Sequence, residues 1–166
     1  DFFTEAHPKL RPVESPTAGV FLSGMYETYR LCGDEKYFTY MKDWVDSVID
    51  SEGNILDYTP ATLDDIMPAI LLFPLIGRTG DKKYEKCLSQ AIESLRIIPR
   101  NSEGGYWHKP IRVNQMWLDG LYMGGPFMSE YAKRYNDAEL AKEVVFQALL
   151  MDKKTRDEKT GLMYHA

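Results

Sequence analysis

The sequence has few cysteines and few histidines. Its 166 residues contain two cysteines and three histidines. Cys32 and Cys87 lie inside helical patterns and lack the spacing of metal ligands, so we expect small buried thiols and neither a disulfide nor a zinc site. Two such cysteines do not distinguish a cytoplasmic from a periplasmic protein.

Long apolar runs and clustered basic charge are also missing. No run reaches membrane-spanning length, and the first residues lack a charged-then-apolar signal pattern, so we expect a soluble chain with no membrane partner. Twenty basic residues against 25 acidic ones give a net charge of -5. Because no basic stripe alternates with aromatic residues, nucleic acid is not an expected partner.

What the sequence does contain is enough apolar material for one core. With 44% hydrophobic residues, a chain of this length is predicted to form one domain or part of one. Prolines and weak periodicity near the start predict an irregular N-terminal arm over residues 1–15. Residues 16–166 are predicted to be part of a single helical domain.

A unit of two helices occurs three times along that domain. Each unit has a nearly uncharged helix rich in small residues, a short polar corner and an amphipathic helix. Gly33 and Gly80 are expected to end helices with positive φ, and Asp34 to cap the helix that follows. The corners lie too far apart for a tetratricopeptide array, whose repeat is about 34 residues. The predicted helices are 16–33, 35–50, 66–77, 82–97, one starting at 115, and 138–153.

This pattern predicts an all-helical fold with the uncharged helices inside and the amphipathic helices outside. Short corners join the helices at one end, so the longer loops fall at the opposite end, where sites are usually built. Four ionisable residues are expected at that end: Asp64, His108, Asp119 and His165.

Two carboxylates beside two histidines and several aromatic rings are typical of a sugar-processing site. Aromatic faces stack on sugars, and paired carboxylates can be held in different protonation states so that one acts as a general acid. Simpler interpretations remain open at this point. Asp64, Asp65 and Asp119 could merely cap helices or interact with their dipoles. Two aspartates and two histidines could also bind a metal, although no two ligands are four residues apart on one helix.

The motifs resemble those of a known family. They are LDDIMP at 63–68, LFPL at 72–75, GGYWHK at 104–109, QMWLDGLYMGGPF at 115–127 and YH at 164–165. Together they are similar to the unsaturated rhamnogalacturonyl hydrolases of glycoside hydrolase family 105. The unsaturated glucuronyl hydrolases of family 88 are a weaker match.

The resemblance implies an (α/α)6 barrel of the six-hairpin glycosidase type and a pectin-derived oligosaccharide with a terminal 4,5-unsaturated galacturonic acid as the substrate. It implies that Asp119 protonates the enol-ether double bond, that Asp64 is the second catalytic carboxylate, and that neither a metal nor an organic cofactor takes part. Asp65 stays open as an alternative to Asp64. Substrate-binding roles are expected for His108, His165, Trp107, Trp117 and Tyr122.

The chain departs from the family pattern in length. Six hairpins complete such a barrel and three are predicted here, so the sequence is either part of a longer protein or a truncated homologue. A truncated barrel would expose apolar helix flanks, and we would then expect self-association. Two other functions stay open: an unsaturated glucuronyl hydrolase, and a helical-repeat protein that binds glycans without cleaving them.

Overall fold

The computed structural model describes residues 15–58 and 62–166. Within these residues the chain forms helices and isolated β-bridges but no strand, as the sequence predicted. The α-helices are α1 (Ser15–Cys32), α2 (Glu35–Ser47), α3 (Leu72–Thr79), α4 (Lys82–Ser94), α5 (Gly120–Tyr135) and α6 (Ala138–Thr155), and Leu63–Asp65 and Met67–Leu71 are 3-10 helices. Except for Ser15, the predicted arm lies outside the described residues. No described helix combines the length and apolarity that a membrane span needs.

The helices are joined in pairs by three similar corners. Gly33 and Gly80 have φ of 70° and 65°, which confirms the predicted left-handed ends, and Asn136 has φ of 53° at the third corner. An aspartate follows each of them and accepts a hydrogen bond from a backbone N–H of the next helix: the acceptors are Asp34, Asp81 and Asp137. Each corner therefore ends one helix and caps the next.

The described chain divides into two compact units, and the first contains the described residues 15–58 and 68–90. In this unit Arg78, near the end of α3, donates hydrogen bonds to the hydroxyl of Tyr29 and to the carboxylate of Glu35, which ties α3 to the corner between α1 and α2. Asp46 on α2 accepts a 2.7 Å hydrogen bond from the buried Tyr84 hydroxyl of α4. These bonds cross-link the helices of the first unit.

The third predicted helix differs from the structure. Residues 66–77 were expected to form one α-helix, but the chain is 3-10 helical over Met67–Leu71 and becomes α-helical only at Leu72. Pro68 lacks the N–H that an α-helix interior requires, and Pro74 lies in the first turn of α3, where that loss costs little. The segment is nevertheless well buried, and Ile66 and Leu75 are both fully covered.

The second unit contains the described residues 62–67 and 91–166. Its α5 begins at Gly120 instead of the predicted Gln115. Although α5 carries little charge, only one face is buried, formed by Gly120, Gly124, Phe127, Met128 and Ala132. Among the described residues α5 is therefore covered along this face only, although it was predicted to lie inside the fold. On the neighbouring α6, the large apolar side chains Val145, Phe146 and Leu149 are exposed.

The two cysteines behave differently. Cys87 is fully buried in the first unit, where its thiol donates a hydrogen bond to the carbonyl of Gly53 and burial raises its pKa to about 11. Cys32, in contrast, is exposed at the end of α1, so the expectation of two buried thiols is wrong for this residue. Its position in the last turn, followed directly by Gly33, explains the exposure. Both thiols are free, as predicted.

Candidate active site

Asp119 occupies the N-cap position of α5 but does not cap the helix. Its backbone is already helical, with φ of -64° and ψ of -25°, and its side chain makes no capping hydrogen bond. Its carbonyl oxygen instead accepts bonds from the N–H groups of Tyr122 and Met123. The carboxylate of Asp119 therefore does not cap the N-terminus of α5, whereas the carboxylate of Asp137 caps the N-terminus of α6. The capping interpretation left open by the sequence does not hold for Asp119.

Backbone contacts from distant parts of the chain hold the segment before Asp119. The N–H of His108 donates to the carbonyl of Gln115 at 2.8 Å, and the N–H of Leu118 donates to the carbonyl of His165 at 2.7 Å. These bonds occupy residues 115–118, which explains why the helix starts only at Gly120. They also attach His108 and His165 to the two ends of the segment that carries Trp117.

Asp64 reaches the same place through a close helix contact. Gly120 and Gly124 present a face of α5 without side chains, and Leu63 packs against it so closely that a Cβ on Gly124 would lie 2.9 Å from Leu63 Cδ2. The neighbouring Asp65 is engaged locally, since its carboxylate accepts hydrogen bonds from the N–H and hydroxyl of Thr62. The structure therefore favours Asp64 over Asp65 as the residue that faces the site.

The result is a cluster of three groups: Asp64, His108 and Asp119 each place one nitrogen or oxygen atom within 4.8 Å of the other two. His108 Nδ1 lies 3.7 Å from Asp119 Oδ1, too far for a hydrogen bond. Both atoms are buried, and neither has a hydrogen-bond partner among the described residues. Lys109 adds an ammonium group 3.4 Å from Asp64 Oδ2. We call these four residues the carboxylate cluster.

His108 is held as a buried, neutral ring. Its side chain is 3% exposed and stacks on Trp117, with ring centroids 3.9 Å apart and planes 8° from parallel. Burial lowers its pKa from the ordinary 6.5, an effect that the nearby carboxylates of Asp119 and Asp64 oppose and the ammonium of Lys109 assists. An imidazole with a lowered pKa is uncharged at neutral pH, and its Nδ1 then donates or accepts a hydrogen bond according to the tautomer.

A polar network anchors the loop that carries His108. Gln147 of α6 accepts a hydrogen bond from the N–H of Tyr106 and donates to the carbonyl of Gly104. Arg100 donates to the Tyr106 hydroxyl at 2.6 Å and to Glu143 at 2.6 Å. Burial raises the pKa of Tyr106 to about 12, so its hydroxyl stays protonated at physiological pH. The network fixes the position of the loop relative to α6.

The spacing of Asp64, His108 and Asp119 would also suit a metal ion. The ammonium of Lys109, 3.4 Å from Asp64 Oδ2, already supplies a positive charge beside one of these carboxylates. That no metal takes part stays a prediction.

Comparison with known proteins identifies the family. The model of Glycosyl Hydrolase Family 88 matches residues 4–166. The chain belongs to this family.

This family 88 chain is similar to one curated hydrolase and to several solved structures. It is 26% identical over 154 residues to the unsaturated rhamnogalacturonyl hydrolase YesR of Bacillus subtilis, covering 89% of the chain and 43% of YesR. A family 105 glycoside hydrolase of C. acetobutylicum has a similar structure, with a TM-score of 0.82 and 33% identity over 89% of the chain and 41% of the relative. A candidate family 105 member from Klebsiella pneumoniae aligns with a TM-score of 0.79 and 27% identity, covering 90% of the chain and 39% of that protein.

These matches confirm the predicted family and helical-hairpin barrel fold. The chain spans about two fifths of the length of the relatives it matches, 43% of YesR and 41% of the clostridial hydrolase. What the whole relatives do is therefore not simply transferred to this family 88 chain.

The structure brings some predicted site residues together and leaves others apart. Asp64, His108 and Asp119 form the cluster, and the ring of His165 meets Trp117 edge-on at 5.1 Å. Tyr122 is half exposed on α5, and neither it nor Trp107 lines the roughly 90 Å³ cavity bounded in part by His108 and Trp117. Their catalytic and binding roles stay predictions.

Lys109 was not predicted to belong to the cluster, although it directly follows His108 in the GGYWHK motif. Its position in a loop gave no periodicity that would predict the direction of its side chain. The contribution of Gln147 was equally hidden, because a glutamine on an amphipathic helix is normally expected at the wet face.

Proposed function

We propose that this family 88 chain supplies the carboxylate cluster of a glycosidase that removes a terminal 4,5-unsaturated galacturonic acid from rhamnogalacturonan oligosaccharides. The observation that carries the proposal is the pair of carboxylates, Asp64 and Asp119, beside the buried histidine His108. Asp119 lies at the start of α5, and its carboxylate does not cap that helix. The similarity to YesR, an unsaturated rhamnogalacturonyl hydrolase, supports the choice of substrate.

In the proposed reaction Asp119 is the general acid. Its proton passes to C4 of the enol ether, and the positive charge that develops at C5 is shared with the ring oxygen. Water then adds to C5 and returns a proton to the site. The hemiketal opens to a ketone, and the hemiacetal left at C1 releases the aglycone. A positioned acid typically contributes about a hundredfold or more to such a step.

The neighbours of Asp119 suit this task. The negative charge of Asp64 stabilises positive charge that develops on the sugar ring, an effect that is strong in a site shielded from water. His108 Nδ1, buried and 3.7 Å from Asp119 Oδ1, is placed to orient the carboxyl group by donating a hydrogen bond to Oδ1 when substrate tightens the site, which leaves the acidic proton on the other oxygen. One face of Trp117 is covered by His108, so only the remaining surface of the indole is available to stack on a sugar.

A second substrate class has support of its own. The matching family model is that of family 88, which fits the unsaturated glucuronyl hydrolases considered from the sequence. The same cluster would protonate an unsaturated glucuronic acid by the same chemistry, so the choice depends on contacts with the rest of the sugar.

The test compares unsaturated oligosaccharides produced by lyases from rhamnogalacturonan and from a glucuronic-acid polysaccharide. Loss of the enol-ether ultraviolet absorbance measures hydrolysis directly. We expect loss with the rhamnogalacturonan fragments, unchanged by a metal chelator. Hydrolysis of the glucuronic substrates alone would favour the second class. Binding without loss of absorbance on either substrate would indicate a glycan-binding protein, and inactivation by the chelator would overturn the metal-free mechanism.

A further inference from the structure

An acidic protein that binds an acidic sugar needs local positive charge. The chain has a net charge of -5, and the cluster itself contains two carboxylates. Each carboxylate of an acidic oligosaccharide would be repelled unless a cation lies nearby. Two cations of one loop can meet this need: Lys109, which belongs to the cluster, and Arg112, which follows it in the same loop.

Arg112 differs from most arginines of the protein. Seven arginines lie in the part of the chain that the structure describes, and five of them form ion pairs with a carboxylate: Arg30, Arg78, Arg96, Arg100 and Arg156. No ion pair joins Arg112 to a described residue, and its side chain is exposed. Its five N–H donors are therefore available to a ligand, and a guanidinium binds carboxylates through two parallel hydrogen bonds.

The loop that carries Arg112 is ordered by its own backbone. The N–H of Arg112 donates to the carbonyl of Lys109 at 2.8 Å, and the N–H of Gln115 donates to the carbonyl of Arg112 at 3.0 Å. These consecutive turns hold the guanidinium carbon of Arg112 5.9 Å from the ring centroid of Trp117. Trp117 also stacks on His108, so Arg112 and the cluster contact the same indole ring.

The two cations therefore have different positions. Lys109 lies within the cluster, with its ammonium 3.4 Å from Asp64. Arg112 is not part of the cluster and lies beside Trp117, whose ring stacks on His108.

We propose that Arg112 binds the carboxylate of a second acidic sugar, one that lies beyond the unsaturated residue, and so gives the enzyme a preference for longer acidic oligosaccharides. This inference rests on the proposed function. In rhamnogalacturonan, acidic and neutral sugars alternate. An unsaturated disaccharide has its single carboxylate on the sugar that is removed, whereas a tetrasaccharide has a second carboxylate on its third sugar.

The experiment measures kcat/KM for the unsaturated disaccharide and tetrasaccharide with the unaltered protein and with Arg112→Gln, Arg112→Lys and Arg134→Gln. Arg134, in the last turn of α5, is a matched control because it also forms no ion pair with a described residue. A tetrasaccharide whose internal carboxylate is methyl-esterified serves as the neutral substrate. Binding of the same sugars to Asp119→Asn, with and without Arg112→Gln, is measured by calorimetry.

We expect Arg112→Gln to lower the tetrasaccharide-to-disaccharide ratio of kcat/KM by about two- to fivefold, the effect of one partly exposed ion pair. Esterification should have the same effect on the unaltered protein, high salt should reduce the ratio, and Arg112→Lys should restore part of it. Arg134→Gln should leave the ratio unchanged.

An equal loss on both substrates, or no change in the ratio, would overturn the role of Arg112 while leaving the proposed function intact. If neither substrate is hydrolysed, the proposed function fails, and calorimetry decides the inference by itself. Weaker tetrasaccharide binding on adding Arg112→Gln would then support it, and equal binding would overturn it.

Discussion

Nδ1 of His108 and Oδ1 of Asp119 face each other at 3.7 Å, and both atoms are buried without a hydrogen-bond partner among the described residues. Buried polar atoms are normally paired, because an unpaired one costs about 1–3 kcal/mol. A pair left just out of hydrogen-bond range is common in catalytic sites before the substrate tightens them. This relationship is the structural basis for treating Asp119 as an acid and His108 as the residue that positions it.

The contact between Leu63 and α5 should control the position of Asp64. An alanine at position 124 would place Cβ 2.9 Å from Leu63 Cδ2, whereas one at position 125 would meet no atom within 4 Å. We expect Gly125→Ala to be neutral or to stabilise by up to about 1 kcal/mol. Gly124→Ala should instead cost about 1 kcal/mol or more and lower turnover, because it displaces Leu63 and the adjacent Asp64.

Thermal unfolding and steady-state kinetics of the two variants check this prediction. Equal stability and equal turnover for Gly124→Ala and Gly125→Ala would show that the close contact does not position the carboxylate.

The corner between α3 and α4 offers a test of backbone conformation alone. Gly80 has φ of 65°, Gly77 lies inside α3, and a Cβ at either position would meet no atom within 4 Å. Because only Gly80 is in the left-handed region, Gly80→Ala should lower the free energy of unfolding by about 1 kcal/mol. Gly77→Ala should not lower it, since alanine favours a helix. Chemical denaturation of both variants measures the difference, and a loss of the same size at both positions would refute the conformational argument.

Burial of His108 should make folding sensitive to acid. Its pKa is lowered in the folded protein, so below the ordinary value of 6.5 the unfolded chain binds a proton that the folded chain does not. The stability linked to this residue is therefore complete above that value and is lost as the pH falls toward the lowered pKa.

We expect His108→Asn, which cannot take up this proton, to lose less stability than the unaltered protein between about pH 7 and pH 5. Denaturant unfolding at several pH values gives the comparison, with His165→Asn as the control at an exposed histidine. Parallel pH profiles for His108→Asn and the unaltered protein would exclude a buried neutral imidazole.

Local signals in the sequence predicted the helix pairs well. The corners at Gly33 and Gly80 combine a left-handed residue with a capping aspartate, and both effects act within a few residues of the chain. The 3-10 geometry of Met67–Leu71 was not predicted, because the loss of α-helical bonding around Pro68 competes with an apolar pattern that by itself favours an α-helix.

The site was predictable only in part, because its geometry depends on contacts between distant residues. The start of α5 at Gly120 depends on the bonds from residues 115 and 118 to His108 and His165. The choice of Asp64 over Asp65 depends on Thr62, whose backbone N–H donates a hydrogen bond to the Asp65 carboxylate. Lys109 and Arg112 lie in a loop without periodicity, so only the folded structure shows which carboxylate and which ring they meet.

The most direct test of the account is the turnover of Asp119→Asn beside that of Asp137→Asn. Both aspartates precede a helix, but only Asp137 uses its carboxylate as a cap, with Oδ1 2.9 Å from the N–H of Leu140. Asparagine keeps the shape of either side chain and caps helices well, so both variants should fold. Turnover of the unsaturated rhamnogalacturonan oligosaccharide is measured by the loss of its absorbance. It should fall about a hundredfold or more for Asp119→Asn, while binding of the oligosaccharide persists. For Asp137→Asn the turnover should stay near normal. Near-normal turnover by Asp119→Asn would contradict its role as the general acid.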